Sequence, residues 1–143
     1  MTPDQIRVAI SASQALLALM PDTQAIASAL SVGRTRMVEV EAWRAQRYFV
    51  KRLKWRAIVA ASTNASHPAM LAAQVAVDLA ENPAMTVDFT DAAAAGMWSA
   101  LTQTNLCTTA DRDEIQSWCI APNPVDEFAV RCAIYADDGT LKV

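Results

Sequence analysis

Residues 42–61, AWRAQRYFVKRLKWRAIVAA, combine six basic side chains with apolar side chains and contain neither glycine nor proline. The apolar residues recur at intervals of three and four, which is the spacing of one face of a helix. The alanines in this stretch lower the cost of helix formation, whereas glycine would raise it. The stretch therefore predicts one long helix, and its composition indicates the fold class of the whole chain.

The rest of the chain has a similar composition. Alanine makes up about a fifth of the 143 residues, and only three residues are glycine. A chain of this length buries roughly 70% of its unfolded surface, so it needs no metal or disulfide to form a core. The three cysteines form no C-x-x-C pair and are predicted to be buried side chains in a reducing compartment: Cys107, Cys119 and Cys132. We therefore predict an all-α fold.

Helix-start signals precede the long helix. The segment Thr2–Gln5 has the pattern of a capping box with proline at the first helical position, and it predicts a helix that runs to Met20. Pro21 ends this helix, and Asp22 is the expected cap of a helix over 23–32. Residues 34–41 are predicted to be a connector that is either extended or the lead-in to the long helix.

Further helices are predicted after the long one. The expected starts are Pro68, Thr90, Thr108 or Thr109, and Asn123 with Pro124, and the first of these helices ends at about Glu81. Asp137–Gly139 is predicted to be a turn and Thr140–Val143 a short extended tail. With no repeat or linker in the sequence, we predict one domain over residues 1–143, an irregular bundle of six or seven short helices.

Charge is distributed very unevenly along the chain. The net charge of the whole chain is −3. Residues 34–56 contain eight basic and two acidic residues, whereas residues 57–143 contain three basic and eleven acidic ones. Such asymmetry is informative about partners and association, although not about fold. The basic segment is therefore the candidate functional region.

A helical projection of residues 42–61 separates cations from apolar side chains. Four basic residues fall within an arc of about 80° at 100° per residue. Tyr48 and Trp55 flank this arc, and the opposite half is the predicted core face, made of Trp43, Ala45, Phe49, Val50, Leu53, Ala57 and Ala60. Ile58 falls within the cationic arc. The candidate partner-binding residues are Arg44, Arg47, Tyr48, Lys51, Lys54 and Trp55.

Three interpretations of this cationic face remain open. The cations can be a solvated face whose aliphatic stems cover apolar surface. They can contact an acidic protein surface, either within the chain or on a partner. They can also bind nucleic-acid phosphates, with the flanking rings stacking on bases. No named nucleic-acid-binding motif is present.

The sequence lacks the motifs of common catalytic and metal sites. His67 is the only histidine, and no phosphate-binding glycine loop or nucleophile motif occurs. Asp111, Asp113 and Glu114 are interpreted as first-turn acids favoured by the helix dipole, and Asp88 and Asp91 as capping residues. We predict no catalytic residue, no cofactor and no metal, and hence no enzyme. No stretch is long and apolar enough for a membrane span, so no membrane partner is expected.

Two terminal stretches resemble a known group of proteins. They are IRVAISASQALLALMPDTQAIASALSVGRTR, at residues 6–36, and NPVDEFAVRCAIYADDGTLKV, at residues 123–143. Both resemble small proteins encoded by tailed bacteriophages and prophages, mostly without an assigned activity. Residues 42–67, with the basic stretch, lie outside this resemblance.

The resemblance implies a phage protein, located in the virion or in the bacterial host cytoplasm. Our first hypothesis is a non-enzymatic structural or assembly protein, in which the basic helix faces an acidic surface on a copy of itself or on another phage structural protein. The alternatives are a nucleic-acid-binding accessory protein that uses the same helix, and a small inhibitor of a host protein.

Overall fold

Helices make up most of the chain. The computed structural model describes residues 1–136 and 139–142. This part of the chain contains nine helices: α1 Pro3–Ser11, α2 Gln14–Leu17, α3 Thr23–Ser31, α4 Trp43–Lys51, α5 Trp55–Ser62, α6 Met70–Glu81, α7 Ala92–Gln103, α8 Thr109–Ser117 and α9 Glu127–Ile134. Asp137 and Asp138, in the predicted turn Asp137–Gly139, and Val143, the last residue of the predicted tail, lie outside the described residues.

Four short strands accompany the helices, so the fold is mainly α and the prediction of a purely α fold is wrong. The strands are β1 Thr35–Met37, β2 Val40–Glu41, β3 Thr86–Val87 and β4 Ile120–Pro122. They form two small sheets, in which β1 pairs with β4 and β2 pairs with β3 in antiparallel register. An isolated antiparallel bridge also joins Tyr135 to Leu141 in the C-terminal segment.

The helix count differs from the prediction because two predicted helices are each divided in two. The first helix ends at Ser11, and Ser13 accepts a hydrogen bond from the Leu16 N–H to begin α2. Serine competes with the helical backbone in this way, and the apolar spacing alone did not indicate the break. The second division falls within the basic stretch.

The single helix predicted over 42–61 is interrupted at residues 52–54. Leu53 has a φ of 61°, in the left-handed region that interrupts a helix. The N–H of Lys54 donates to the Phe49 carbonyl at 2.9 Å, which closes α4 before α5 begins. Because the break rotates α5 relative to the projection, Ile58 is fully buried, whereas Leu53, assigned to the core face, is 91% exposed.

Local capping accounts for most helix starts. The Thr2–Gln5 capping box is present, and Asp22 and Thr108 cap α3 and α8 as predicted. The caps predicted at Thr90 and Asn123 are wrong, because Asp91 caps α7 and Asp126 caps α9. The Thr90 hydroxyl instead donates to Asp88 at 2.5 Å.

The chain forms two compact units, each with its own apolar core. The first comprises residues 1–36 and 122–143, and the second comprises residues 37–121. The core of the first unit is built from α1, α3 and α9 and contains Ile6, Ile10, Ile26, Ala27, Val125, Val130, Ala133 and Ile134. The core of the second includes Phe49, Ile58, Trp98, Leu101 and Ile115. One domain over residues 1–143 stays a prediction.

Candidate functional site

Helix α4 in the second unit has a buried side and an exposed side. Ala45 and Phe49 are buried in the core of that unit. Because a helix repeats every 3.6 residues, the positions on the opposite side face solvent together. The exposed residues of α4 are Trp43, Arg44, Arg47, Val50 and Lys51. We call this set the α4 face.

Three cations of the α4 face have no acidic partner in the part of the chain that the structure describes. They are Arg44, Arg47 and Lys51, and none of them forms an ion pair with a described residue. The three side chains line a surface hollow of about 250 Å³ together with Trp43, Tyr48 and Trp118. The structure therefore brings four of the six candidate residues together: Arg44, Arg47, Tyr48 and Lys51.

Two of the aromatic rings at this hollow, Tyr48 and Trp118, are each covered by a guanidinium group. The Arg44 guanidinium lies over the Trp118 ring, 5.1 Å from its centroid, and the Arg52 guanidinium lies 3.5 Å from the centroid of Tyr48. Tyr48 and Trp118 meet edge to face at 5.6 Å. Cations are attracted to the negative faces of such rings, and these contacts hold the two arginines in place.

Two further cations of the basic stretch, Arg52 and Lys54, converge on one buried carboxylate, Asp111. Its side chain is 6% exposed and accepts hydrogen bonds from the Lys54 ammonium and from the Tyr48 hydroxyl, the latter at 3.0 Å. The Arg52 Nε lies 3.8 Å from the same carboxylate. The Thr108 N–H donates to it at 2.9 Å, which completes the capping box of α8. Asp111 is therefore the partner of the basic stretch as well as a first-turn acid.

The environment of Asp111 stabilises its charged form. Burial by itself raises the pKa of this carboxyl, but hydrogen bonds from Lys54, Thr108 and Tyr48 outweigh burial and lower the pKa to about 2. The pKa of Tyr48 is raised by burial and then by its hydrogen bond to Asp111. Asp111 is thus ionised at neutral pH and neutralises part of the basic stretch from within.

The two other candidate residues, Lys54 and Trp55, do not line this hollow. Lys54 is bound to Asp111, and Trp55 is half-buried against the core of the second unit. Trp55 instead borders a second, more apolar hollow of about 330 Å³, which Val50, Leu53 and Arg56 also line. An apolar hollow therefore lies next to the α4 face, and Val50 belongs to both.

His67 and Cys107 are the candidates for catalytic or metal-binding chemistry that the structure characterises. The His67 Nδ1 accepts the Ala69 N–H at 3.1 Å. Burial raises the pKa of the Cys107 thiol to about 11, which disfavours the nucleophilic thiolate. No group of three or more potential metal ligands occurs among the described residues.

The sequence did not reveal that Asp111 pairs with the basic stretch or that Leu53 is exposed. The Thr108–Asp111 spacing of a capping box is visible in the sequence, but no local signal connects Asp111 to cations 57 positions earlier. The exposure of Leu53 follows from the helix break, which the apolar spacing concealed.

Comparison with known proteins identifies no relative of this chain. No protein-family model, no curated protein and no solved structure matches the chain. No described helix is long and apolar enough to cross a membrane.

Proposed function

We propose that this protein is a non-enzymatic structural or assembly protein of a tailed bacteriophage, and that its α4 face binds an acidic surface on another protein molecule. The phage context is supported by the resemblance of residues 6–36 and 123–143 to small phage and prophage proteins. The binding role is carried by one observation: Arg44, Arg47 and Lys51 are exposed and unpaired within the described chain, although the chain is acidic overall.

The mixed character of the surface favours a protein partner. Val50 is 49% exposed and Leu53 is 91% exposed, and both adjoin the cations. A phosphate backbone offers no apolar surface for these side chains, whereas protein interfaces combine an apolar centre with a polar rim. Charge complementarity around such a centre sets the register of the contact and the choice of partner.

The stacking residues required by the nucleic-acid alternative are already engaged. The ring of Tyr48 lies under Arg52, and its hydroxyl donates to Asp111. Trp55 is half-buried against the core. Stacking on bases needs a free ring face. The surface therefore favours protein over nucleic acid.

Site-specific photo-crosslinking in bacterial cells tests this proposal. A photo-reactive phenylalanine derivative replaces Lys51 in one variant and the exposed Arg36 of β1 in a control. We expect protein adducts from position 51, and their loss when Arg44→Glu and Arg47→Glu are added. Mass spectrometry of the adducts also distinguishes phage assembly proteins from a host protein, which would indicate the inhibitor alternative.

Two outcomes would contradict the proposal. Adducts formed mainly with nucleic acid would support the accessory-protein alternative. Adducts absent from position 51, or equally abundant at position 36, would show that the α4 face is only a solvated surface.

A further inference from the structure

Helix α6 in the second unit exposes a stripe of mixed apolar and acidic character. The exposed residues of this helix are Leu71, Val75, Asp78 and Glu81. Their spacing of four, three and three places them on one side of the helix. Leu71 is 70% exposed and Val75 is 48% exposed. We call this set the α6 stripe.

The two acids of the α6 stripe have no ion-pair partner in the described residues. Asp78 and Glu81 form no salt bridge with any of them. The stripe is therefore apolar in its first half and carries unpaired negative charge in its second half. An exposed apolar pair next to unpaired charge is the pattern of an interface with a hydrophobic centre and a polar rim.

The α4 face and its adjoining hollow show the opposite order. Its cations, Arg44, Arg47 and Lys51, all precede Leu53, the most exposed apolar side chain, while Trp43 and Val50 lie among them. Leu71 and Asp78 lie seven residues apart, about 10 Å along a helix at 1.5 Å per residue. Arg47 lies within α4, and Leu53 follows the C-terminal end of that helix. An antiparallel arrangement therefore matches acid with base and apolar with apolar.

We propose that the partner of the α4 face is a second copy of this chain, whose α6 stripe docks antiparallel on that face. This inference rests on the function proposed above, and it identifies the α6 stripe as the acidic surface that the α4 face binds. Asp78 and Glu81 of one copy meet Arg44, Arg47 and Lys51 of the other. Leu71 and Val75 enter the hollow of Val50, Leu53 and Trp55. A single chain thus carries both complementary surfaces.

The exposed position of Leu53 supports this role. Leu53 has a left-handed backbone, which is unfavourable for a residue with a Cβ, and its apolar side chain is 91% exposed. Glycine or asparagine would fit this backbone position in the monomer more readily. A leucine at this position is accounted for by burial of its side chain against another molecule.

A charge-swap experiment on the purified chain tests the proposal. One variant, Arg47→Glu with Lys51→Glu, reverses the α4 face, and another, Asp78→Lys with Glu81→Lys, reverses the α6 stripe. Light scattering measures the average mass at low salt. We expect wild type to approach or exceed twice the chain mass and each variant alone to remain monomeric. An equimolar mixture should recover the wild-type mass, because each reversed face then meets a reversed stripe.

The controls separate a specific contact from general charge effects. Arg7→Glu with Arg36→Glu changes the net charge as much as the first variant does, at two positions outside both surfaces, and should associate like wild type. Wild-type association should decline as salt is raised toward 1 M, where the screening length is only about 3 Å. Circular dichroism confirms that each variant is helical.

Several results would overturn the inference. They are a monomeric wild type at low salt, association that persists in either charge-reversed variant, or a mixture that stays monomeric. If the purified chain is monomeric while position 51 crosslinks to a different protein in cells, the homotypic contact is wrong and the proposed function stands. If the purified chain is monomeric and position 51 also forms no protein adducts in cells, the proposed function is wrong as well.

Discussion

Asp111 is a carboxylate held away from water, and its contribution to stability depends on the groups that contact it. Lys54, Tyr48 and Thr108 donate to it, and Arg52 lies near it. A buried charge is costly unless it is paired and hydrogen-bonded. This arrangement attaches helix α8 to the segment between α4 and α5, and so fixes the base from which the free cations of α4 project.

We expect Asp111→Asn to lower the free energy of unfolding by about 3 kcal/mol. Asparagine is similar in shape, but it leaves the Lys54 ammonium without its partner, and breaking a buried pair is costly. Urea unfolding measures the change. Asp113→Asn, two residues further along the same helix at an exposed position, is the control and should change stability by less than about 0.5 kcal/mol. Equal effects of the two substitutions would contradict the role of Asp111.

The pKa of Asp111 predicts a specific loss of stability in acid. The pKa is about 2 in the folded chain, against 3.8 for an unperturbed carboxyl. Because the folded value is the lower one, the stabilisation is fully present above about pH 4 and is lost as the pH falls through about 2. We expect a loss of about 2 kcal/mol over this window. Urea unfolding at several pH values measures the difference in free energy of unfolding between wild type and Asp111→Asn, and this difference should shrink as the pH falls. A difference that does not change with pH would contradict the lowered pKa of Asp111.

At the scale of the element, the interruption between α4 and α5 decides which residues are exposed. A continuous helix would place Leu53 in the core and Ile58 among the cations, whereas the break reverses both. The caps at Thr2, Asp22 and Thr108 were predictable because each is a local hydrogen bond between residues three apart. The break was not, because no glycine, proline or aspartate marks it.

We expect Leu53→Gly to preserve the fold and to stabilise it by up to about 1 kcal/mol, because glycine adopts a left-handed backbone without steric cost. The same substitution should weaken association, since the protruding apolar side chain is lost. Thermal unfolding and light scattering measure the two effects. Val50→Gly, in regular helix nearby, is the control and should destabilise by about 1 kcal/mol. A strongly destabilised Leu53→Gly variant would contradict the backbone assignment.

At the scale of the whole molecule, the two apolar cores are distinct. Ile134 is fully buried in the first unit and Leu101 is fully buried in the second. The first core is assembled from the two ends of the chain, and the second from its middle. An experiment can therefore measure whether the two units unfold together, as one cooperative domain, or separately.

We expect Ile134→Ala to cost about 3 kcal/mol in the first unit, because it leaves a cavity in a close-packed core. Amide hydrogen exchange should then show reduced protection in α1, α3 and α9, with α6 and α7 remaining protected. Leu101→Ala is the converse variant and should reduce protection in α6 and α7. If either variant reduced protection in all of these helices equally, the chain would unfold as one cooperative domain.

The sequence by itself determined the mainly helical fold, the capped starts of α1, α3 and α8, and the cationic character of α4, because helix propensity, capping and the 3.6-residue period are local. Tertiary structure alone decided the break at Leu53 and the short strand pairs. It also decided which cations of α4 remain free: Asp111 pairs with Lys54 and Arg52, which follow α4, and Arg44, Arg47 and Lys51 within α4 stay exposed. The physical reason is that the pairing of a buried charge depends on groups far apart in the chain, and only the packed core brings them together.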